Sequence, residues 1–134
     1  MSLADARVET RLPAQDLDRA RQWYTEKLGL VPAEERDGGL RYVCAAGVFC
    51  LFASTGSSDG TFTQMAFGVD DIEAEMAELH SRGVVFEEYG IPGLPMVNGI
   101  VDIPDNYPSK GRGERGAWFR DSEGNLLGLG QATS

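Results

Sequence analysis

Histidine is almost missing from this chain. His80 stands alone among 134 residues, which removes the commonest metal ligand and general base from most catalytic constellations. Cysteine is nearly as scarce: Cys44 and Cys50 are too few for a disulfide framework, and their spacing fits no zinc motif. The two flank a predicted hairpin, where a redox pair is conceivable, but reduced, buried thiols are the expectation. Basic residues are also in short supply, 12 against 21 acids, for a net charge of −9. A surface of that sign repels phosphate backbones and anionic lipid, so neither nucleic acid nor a membrane is the expected partner. No apolar run approaches the roughly 20 residues of a membrane span. Met1 to Asp5 lacks the basic start of a signal peptide, which makes the cytoplasm the expected location.

What is present is ordinary globular composition, 42% apolar and 25% charged, in a length suited to a single domain over residues 1–134. The chain repeats itself. Val8-Glu9-Thr10-Arg11-Leu12 leads into Asp16-Leu17, a helical stretch, and then Leu28-Gly29-Leu30-Val31. Thr63-Gln64-Met65-Ala66-Phe67 leads into Asp71-Ile72, a second helical stretch, and then Gly83-Val84-Val85. Leu17, Ala20, Tyr24 and Leu28 recur at helical spacing, with Asp16 as N-cap and Gly29 at the C-terminal end. Ile72, Met76 and Leu79 form the second stripe, with Asp70 and Glu73 as a capping box and Gly83 as the stop.

After each helix the pattern turns to paired strands. Leu40 to Ala45 and Val48 to Ala53 read as a hairpin about Ala46-Gly47; Ala117 to Asp121 and Leu126 to Leu129 repeat it. Module one then covers about residues 6–54, a Ser/Gly-rich linker 55–60, and module two about 61–131. Residues 90–116, rich in Pro and Gly, read as a long loop of the kind that makes lids. Leu94, Met96, Val97 and Ile100 are expected to turn inward, and residues 106–113 to be mobile.

The series Leu12-Pro13, Asp16-Leu17, Trp23-Tyr24 and Leu28-Gly29-Leu30 resembles the first module of the vicinal oxygen chelate superfamily. Phe67-Gly68-Val69-Asp70-Asp71-Ile72, Arg82-Gly83-Val84 and the run from Trp118 to Asn125 resemble its second. That superfamily includes glyoxalase I, the extradiol dioxygenases and the bleomycin-resistance proteins. The resemblance implies an α+β fold: two βαβββ modules forming a cup-shaped, eight-stranded mixed sheet, with helices on the outer face and a small-molecule site inside. It also implies a homodimer, which the open strand edges of such sheets favour.

Period-2 alternation sorts the strands into faces. Leu12, Val48, Cys50, Phe52, Phe67, Leu127 and Leu129 fall on an apolar, helix-covered face. The opposite face takes Glu9, Arg11, Phe49, Leu51, Phe62, Gln64 and Gly128, with Arg41 and Trp118 carried across by the hairpin alignment. These nine residues are the expected ligand-binding set for a small apolar or aromatic molecule. Glu9 and Gln64 match two strand positions from which the family's metalloenzymes take ligands. Leu51 and Gly128, placed by aligning Gly47 with Gly124, match the other two and offer no donor. No metal and no cofactor is therefore expected, and the resemblance narrows to a non-metal-binding subgroup. Glu9 reads first as the partner of an arginine and second as the best candidate base. The expected function is metal-independent binding of a small molecule; the alternative is an isomerase, lyase or dioxygenase-like enzyme using Glu9 as base or metal ligand.

Overall fold

The computed structural model describes residues 2–88, 91–104 and 113–133. Asp16 opens the first helix, α1 (Leu17–Trp23): its Oδ1 accepts from the Arg19 N–H at 3.0 Å, taking one of the donors a helix start leaves free. One wider turn, Tyr24–Leu28, continues it and ends at Gly29, whose φ of +69° is the left-handed conformation glycine supplies at helix ends. The second helix, α2 (Ile72–Ser81), is capped by Asp71 rather than Asp70: Asp71 Oδ1 accepts from the Ala74 N–H, and Gln131 Oε1 takes the Ile72 N–H.

Nine strands follow in chain order: β1 (Thr10–Ala14), β2 (Glu34–Arg36), β3 (Gly39–Cys44), β4 (Gly47–Ala53), β5 (Met65–Gly68), β6 (Met96–Val97), β7 (Ile100–Pro104), β8 (Gly113–Arg120) and β9 (Leu126–Thr133). The first sheet runs β1-β4-β3-β2 and the second β5-β9-β8-β7-β6. In each, the module's first strand lies parallel to its last, and the other pairings are antiparallel. This is the expected α+β architecture of two like modules, but with nine strands rather than eight, in sheets that are not closed into one. Gly83-Val84-Val85, expected to follow the second helix as a strand, forms none, whereas two strands, β6 and β7, come from the stretch expected as loop. There Asn98 (φ +55°) and Gly99 (φ +79°) make the two-residue turn that joins β6 to β7, since both central positions of such a turn need positive φ.

One core serves both modules on the helix side of the sheets. Tyr24 from the end of the first helix packs on Tyr42 and Phe49 of the first sheet; Trp23 stacks on Phe119 of the second; Phe49 meets Phe67 edge-on. Phe49 and Leu51 are thus buried on the helix side, not on the open face where alternation set them. The alignment of the two hairpins explains the slip. Matching Gly47 with Gly124 is one residue out, because Cys50, the register partner of Arg11, answers to Gly128, the partner of Ala66, and a one-residue shift sends every side chain of the strand to the other face. The same shift puts Val48, Cys50 and Phe52 on the open face. It also separates the cysteines: Cys50 shares the open face with Arg41, whereas Cys44 shares the parity of helix-facing Tyr42.

Candidate functional site

The open face of the first sheet carries Glu9, Arg11, Arg41, Val43, Cys50 and Phe52. Register fixes the set: Arg11 lies opposite Cys50, Cys50 opposite Arg41, and Val43 opposite Val48. Glu9 Oε1 accepts from Arg41 Nη2 at 3.3 Å, so the carboxylate is held by Arg41 rather than by Arg11. Val43 and Phe52 are 54% and 39% exposed, and Phe62 in the linker 59%. An open hollow of about 430 Å³ adjoins this face, lined by Pro13, Phe62, Gln64 and linker residues from Ser54 to Asp59.

The second sheet's corresponding face is covered by the chain itself. Trp118 is 6% exposed and packs with Val101 and Leu126 under Ile91, Leu94 and Met96. Its indole Nε1 donates to Thr63 Oγ1 at 2.9 Å. A side chain at Gly128 would meet Ala66, Trp118 and Thr63 at 3.4–3.5 Å. Of the four residues expected to turn inward from the long loop, Leu94 and Met96 do so. Val97 is exposed, and Ile100 is buried in the helix-side core. Residues 106–112 lie outside the described residues, and Gly113 opens β8.

Gln64 ties parts of the chain together. Its Oε1 accepts from Ser58 Oγ and from the Leu126 N–H, and its Nε2 donates to Asn125 Oδ1. The Gly56-Ser57-Ser58-Asp59-Gly60 run has the spacing of a nucleophile elbow. Its central Ser58 donates to Gln64 and accepts from the Gly60 N–H, in a linker rather than at a strand-to-helix turn. Likewise the described part of the G-x-G-x-x-G of residues 111–116, Gly113 to Gly116, lies in strand β8, whereas cradling a phosphate needs a helix start.

A metal ion does not fit this donor set. Because Asp16 and Asp71 are equivalent, Arg11 answers to Ala66. Their partners Cys50 and Gly128 then occupy the equivalent hairpin positions, and Leu51 does not. The four positions hold Glu9, engaged by Arg41; Gln64, whose side-chain oxygen already accepts two hydrogen bonds; one thiol; and a glycine with no side chain. Among the described residues, no three of His, Cys, Asp and Glu come together in a group able to hold an ion.

Where module one meets the β8–β9 turn, a polar cluster is sealed from solvent. Tyr24 Oη donates to Asp121 Oδ2 at 2.6 Å, and Asn125 Nδ2 donates to Asp121 Oδ2 and to the Pro13 carbonyl. Asp121 Oδ1 accepts the N–H groups of Glu123 and Asn125. Burial pushes the Asp121 carboxyl up from its ordinary value, and these hydrogen bonds offset only part of that. Glu123, whose side chain is 1% exposed, goes the other way. Burial would raise it, but the Arg19 guanidinium, the Ser122 hydroxyl and the Asp16 N–H together hold it down at about 2.

A carboxylate depressed in this way stabilises the fold above its unfolded value near 4.5, and the contribution disappears as pH falls toward 2. Glu123→Gln is therefore expected to be less stable than the wild type by roughly 2 kcal/mol at pH 7, discounted for the exposed half of the Arg19 pair. The gap should close between pH 5 and pH 2. Asp121, raised, has the opposite sign: its contribution is present at low pH and lost as pH rises. It acts in both proteins and cancels in the difference. Urea melts at pH 7 and pH 2.5 check this, and a gap that is constant with pH would refute it.

Two like modules that share a core on their helix side, each with its first strand parallel to its last, and with the other face of the first sheet left open, define a paired-module fold of the glyoxalase kind. The chain belongs to the glyoxalase/bleomycin resistance protein/dioxygenase superfamily, whose family model matches residues 7–129. Among solved structures it is similar to a glyoxalase/bleomycin resistance protein/dioxygenase from Alicyclobacillus acidocaldarius (TM-score 0.71, 15% identity, covering 100% of this chain and 96% of that one). It is similar also to TnmS3, an antibiotic binding protein from Streptomyces sp. CB03234 (0.64, 24%, 98% and 100%). A third is a lactoylglutathione lyase from Agrobacterium tumefaciens (0.62, 18%, 95% and 93%). A search of curated sequences gave no match.

Proposed function

We propose that this protein binds a small apolar or aromatic molecule on the open face of its first sheet, without a resident metal or cofactor. The observation that carries the reading is that face itself. Val43 and Phe52 stand exposed on the face that carries the charged pair Glu9–Arg41, and Pro13, the register partner of Phe52, borders the hollow together with Phe62. Exposed apolar surface next to oriented polar groups is the usual composition of a ligand wall. The donor set supports the metal-free part. Similarity to an antibiotic binding protein and to a lyase is compatible with binding and with catalysis, and the pairing of Glu9 with Arg41 favours binding. A second copy of the chain is proposed to supply the facing wall, since β1 and β5 both end their sheets with an unpaired edge. The cytoplasm is the proposed location.

Native mass spectrometry of freshly purified protein, together with a fluorescence screen of aromatic ligands, tests the proposal. Dimers with less than one-tenth equivalent of transition metal are expected. Phe52→Ala should weaken an aromatic hit about tenfold, the worth of one well-packed ring contact. One zinc, nickel, iron or manganese per chain would overturn the metal-free part. An unchanged affinity in Phe52→Ala would move the site off this face.

A further inference from the structure

The first sheet sets three side chains in a row across its open face. Arg11 of β1 is the register partner of Cys50 of β4, and Cys50 is the partner of Arg41 of β3. Neighbouring partners in a sheet stand about 5 Å apart, so a thiol lies between two guanidinium-bearing residues. The acids on this face are accounted for. Glu9 is bonded to Arg41, and Glu34, opposite Arg41 on β2, is paired with Arg36. Arg11 is left over: it is exposed and makes no hydrogen bond or ion pair among the described residues. Three arginines against two glutamates leave this face positive on a chain whose net charge is −9. A cation held mid-strand without a partner, beside Val48 and Phe52, is poorly explained by folding alone.

We infer that the Arg11–Cys50–Arg41 row is an anion site. A carboxylate, phosphonate or sulfonate sits between the two guanidinium groups above the Cys50 thiol, and the apolar body of the same molecule lies on Val43, Val48 and Phe52. The inference rests on the ligand face proposed above and names its ligand class: an apolar or aromatic molecule bearing one negative charge. At about 6 Å in water, each guanidinium raises the local concentration of a univalent anion roughly threefold, and the flanking apolar side chains strengthen the effect by excluding water. The protein's overall charge works against any anion, so local enrichment here has to come from the row itself.

Cys50 reports on the row. Iodoacetate and iodoacetamide alkylate a thiol by the same displacement, in which the S–C bond forms and iodide leaves, and they differ in charge. Cys44, on the other side of the hairpin, is the internal control. Peptide mass spectrometry on the full-length protein at low salt is expected to show an iodoacetate-to-iodoacetamide rate ratio at least fivefold higher at Cys50 than at Cys44. Arg11→Gln should lower that ratio about threefold while leaving the ratio at Cys44 unchanged, and an unaltered urea melt shows that the variant is folded. Millimolar benzoate should protect Cys50 and benzamide should not. Equal ratios at the two cysteines would overturn the anion site, as would a Cys50 that neither reagent reaches. Equal ratios with protection by both aromatics would remove the anion site and keep the ligand face. Retained steering with no protection by either would keep the cationic row and remove the ligand face.

Discussion

Asp121→Ala is expected to lose about 3–5 kcal/mol of stability, out of the 5–15 typical of a domain. One carboxylate satisfies four donors: the Tyr24 hydroxyl, the Asn125 amide and the N–H groups of Glu123 and Asn125. Alanine strands all of them in a region where Tyr24 and Asn125 are fully buried, and each orphaned group carries its own desolvation cost. The Tyr24 bond also ties the end of the first helix to the turn of the second module, so both halves feel its loss. Asp121→Asn should fall between, because its NH₂ would face donors on one side. Tyr24→Phe removes one donor and should cost about 1–2 kcal/mol, with strong coupling to Asp121→Ala in a double-mutant cycle. Urea unfolding at pH 7 measures all three. A loss below 1 kcal/mol for Asp121→Ala would mean that the cluster is hydrated in solution.

Much of the architecture was legible because two signals agreed. Asp16 and Gly29 bracket the first helix with the cap chemistry that each end requires, and the same pattern returns 55 residues later at Asp71. The strand faces were harder. In β4 both alternating sets are apolar, Phe49 and Leu51 on one side and Val48, Cys50 and Phe52 on the other, so no polar residue marks the outside. Only pairing decides, and matching Gly47 with Gly124 misleads, because the first hairpin closes over Ala45-Ala46 and the second over the longer Asp121 to Asn125. In β9 the glycines Gly128 and Gly130 mark the face that other chain segments approach, and there the assignment held.

The candidate site suffered in proportion. Arg11 was placed with Glu9 because their strand has polar residues to set its phase, and Arg41 was placed there by the hairpin alignment. Cys50 and Phe52 were missed because their strand has none. The β6–β7 hairpin carried a signal of its own, Asn98-Gly99 between Val97 and Ile100, which is among the strongest short turn motifs. Four prolines and many glycines in the surrounding stretch outweighed it. Trp118 illustrates another limit. Its strand and face follow from sequence, but what lies over it does not: Thr63 and Leu94 reach it from segments 55 and 24 residues away.

Phe119→Ala tests whether the two modules share a single core. Phe119 is fully buried on β8, its ring stacked on Trp23 of α1 at 6.3 Å and 26°, and set edge-on to Phe86 at 5.7 Å and 75°. Removing the ring deletes contacts to both modules at once and leaves a cavity bounded by a helix from one and a strand from the other. Neither can collapse without disturbing the neighbouring Tyr24–Asp121 bond. The expected loss is about 4 kcal/mol, the upper part of the range for large-to-small core changes, where the surroundings do not relax. Phe119→Leu keeps most of the volume and should cost about 1–2 kcal/mol. Val43→Ala, an apolar truncation at a half-exposed position, should stay within about 0.5 kcal/mol. Chemical denaturation should remain a single transition in all three, because a shared core makes the modules unfold together. Two separated transitions in Phe119→Ala, or a loss below 1.5 kcal/mol, would show that each module holds its fold independently and that the Trp23–Phe119 stack is only a contact between them.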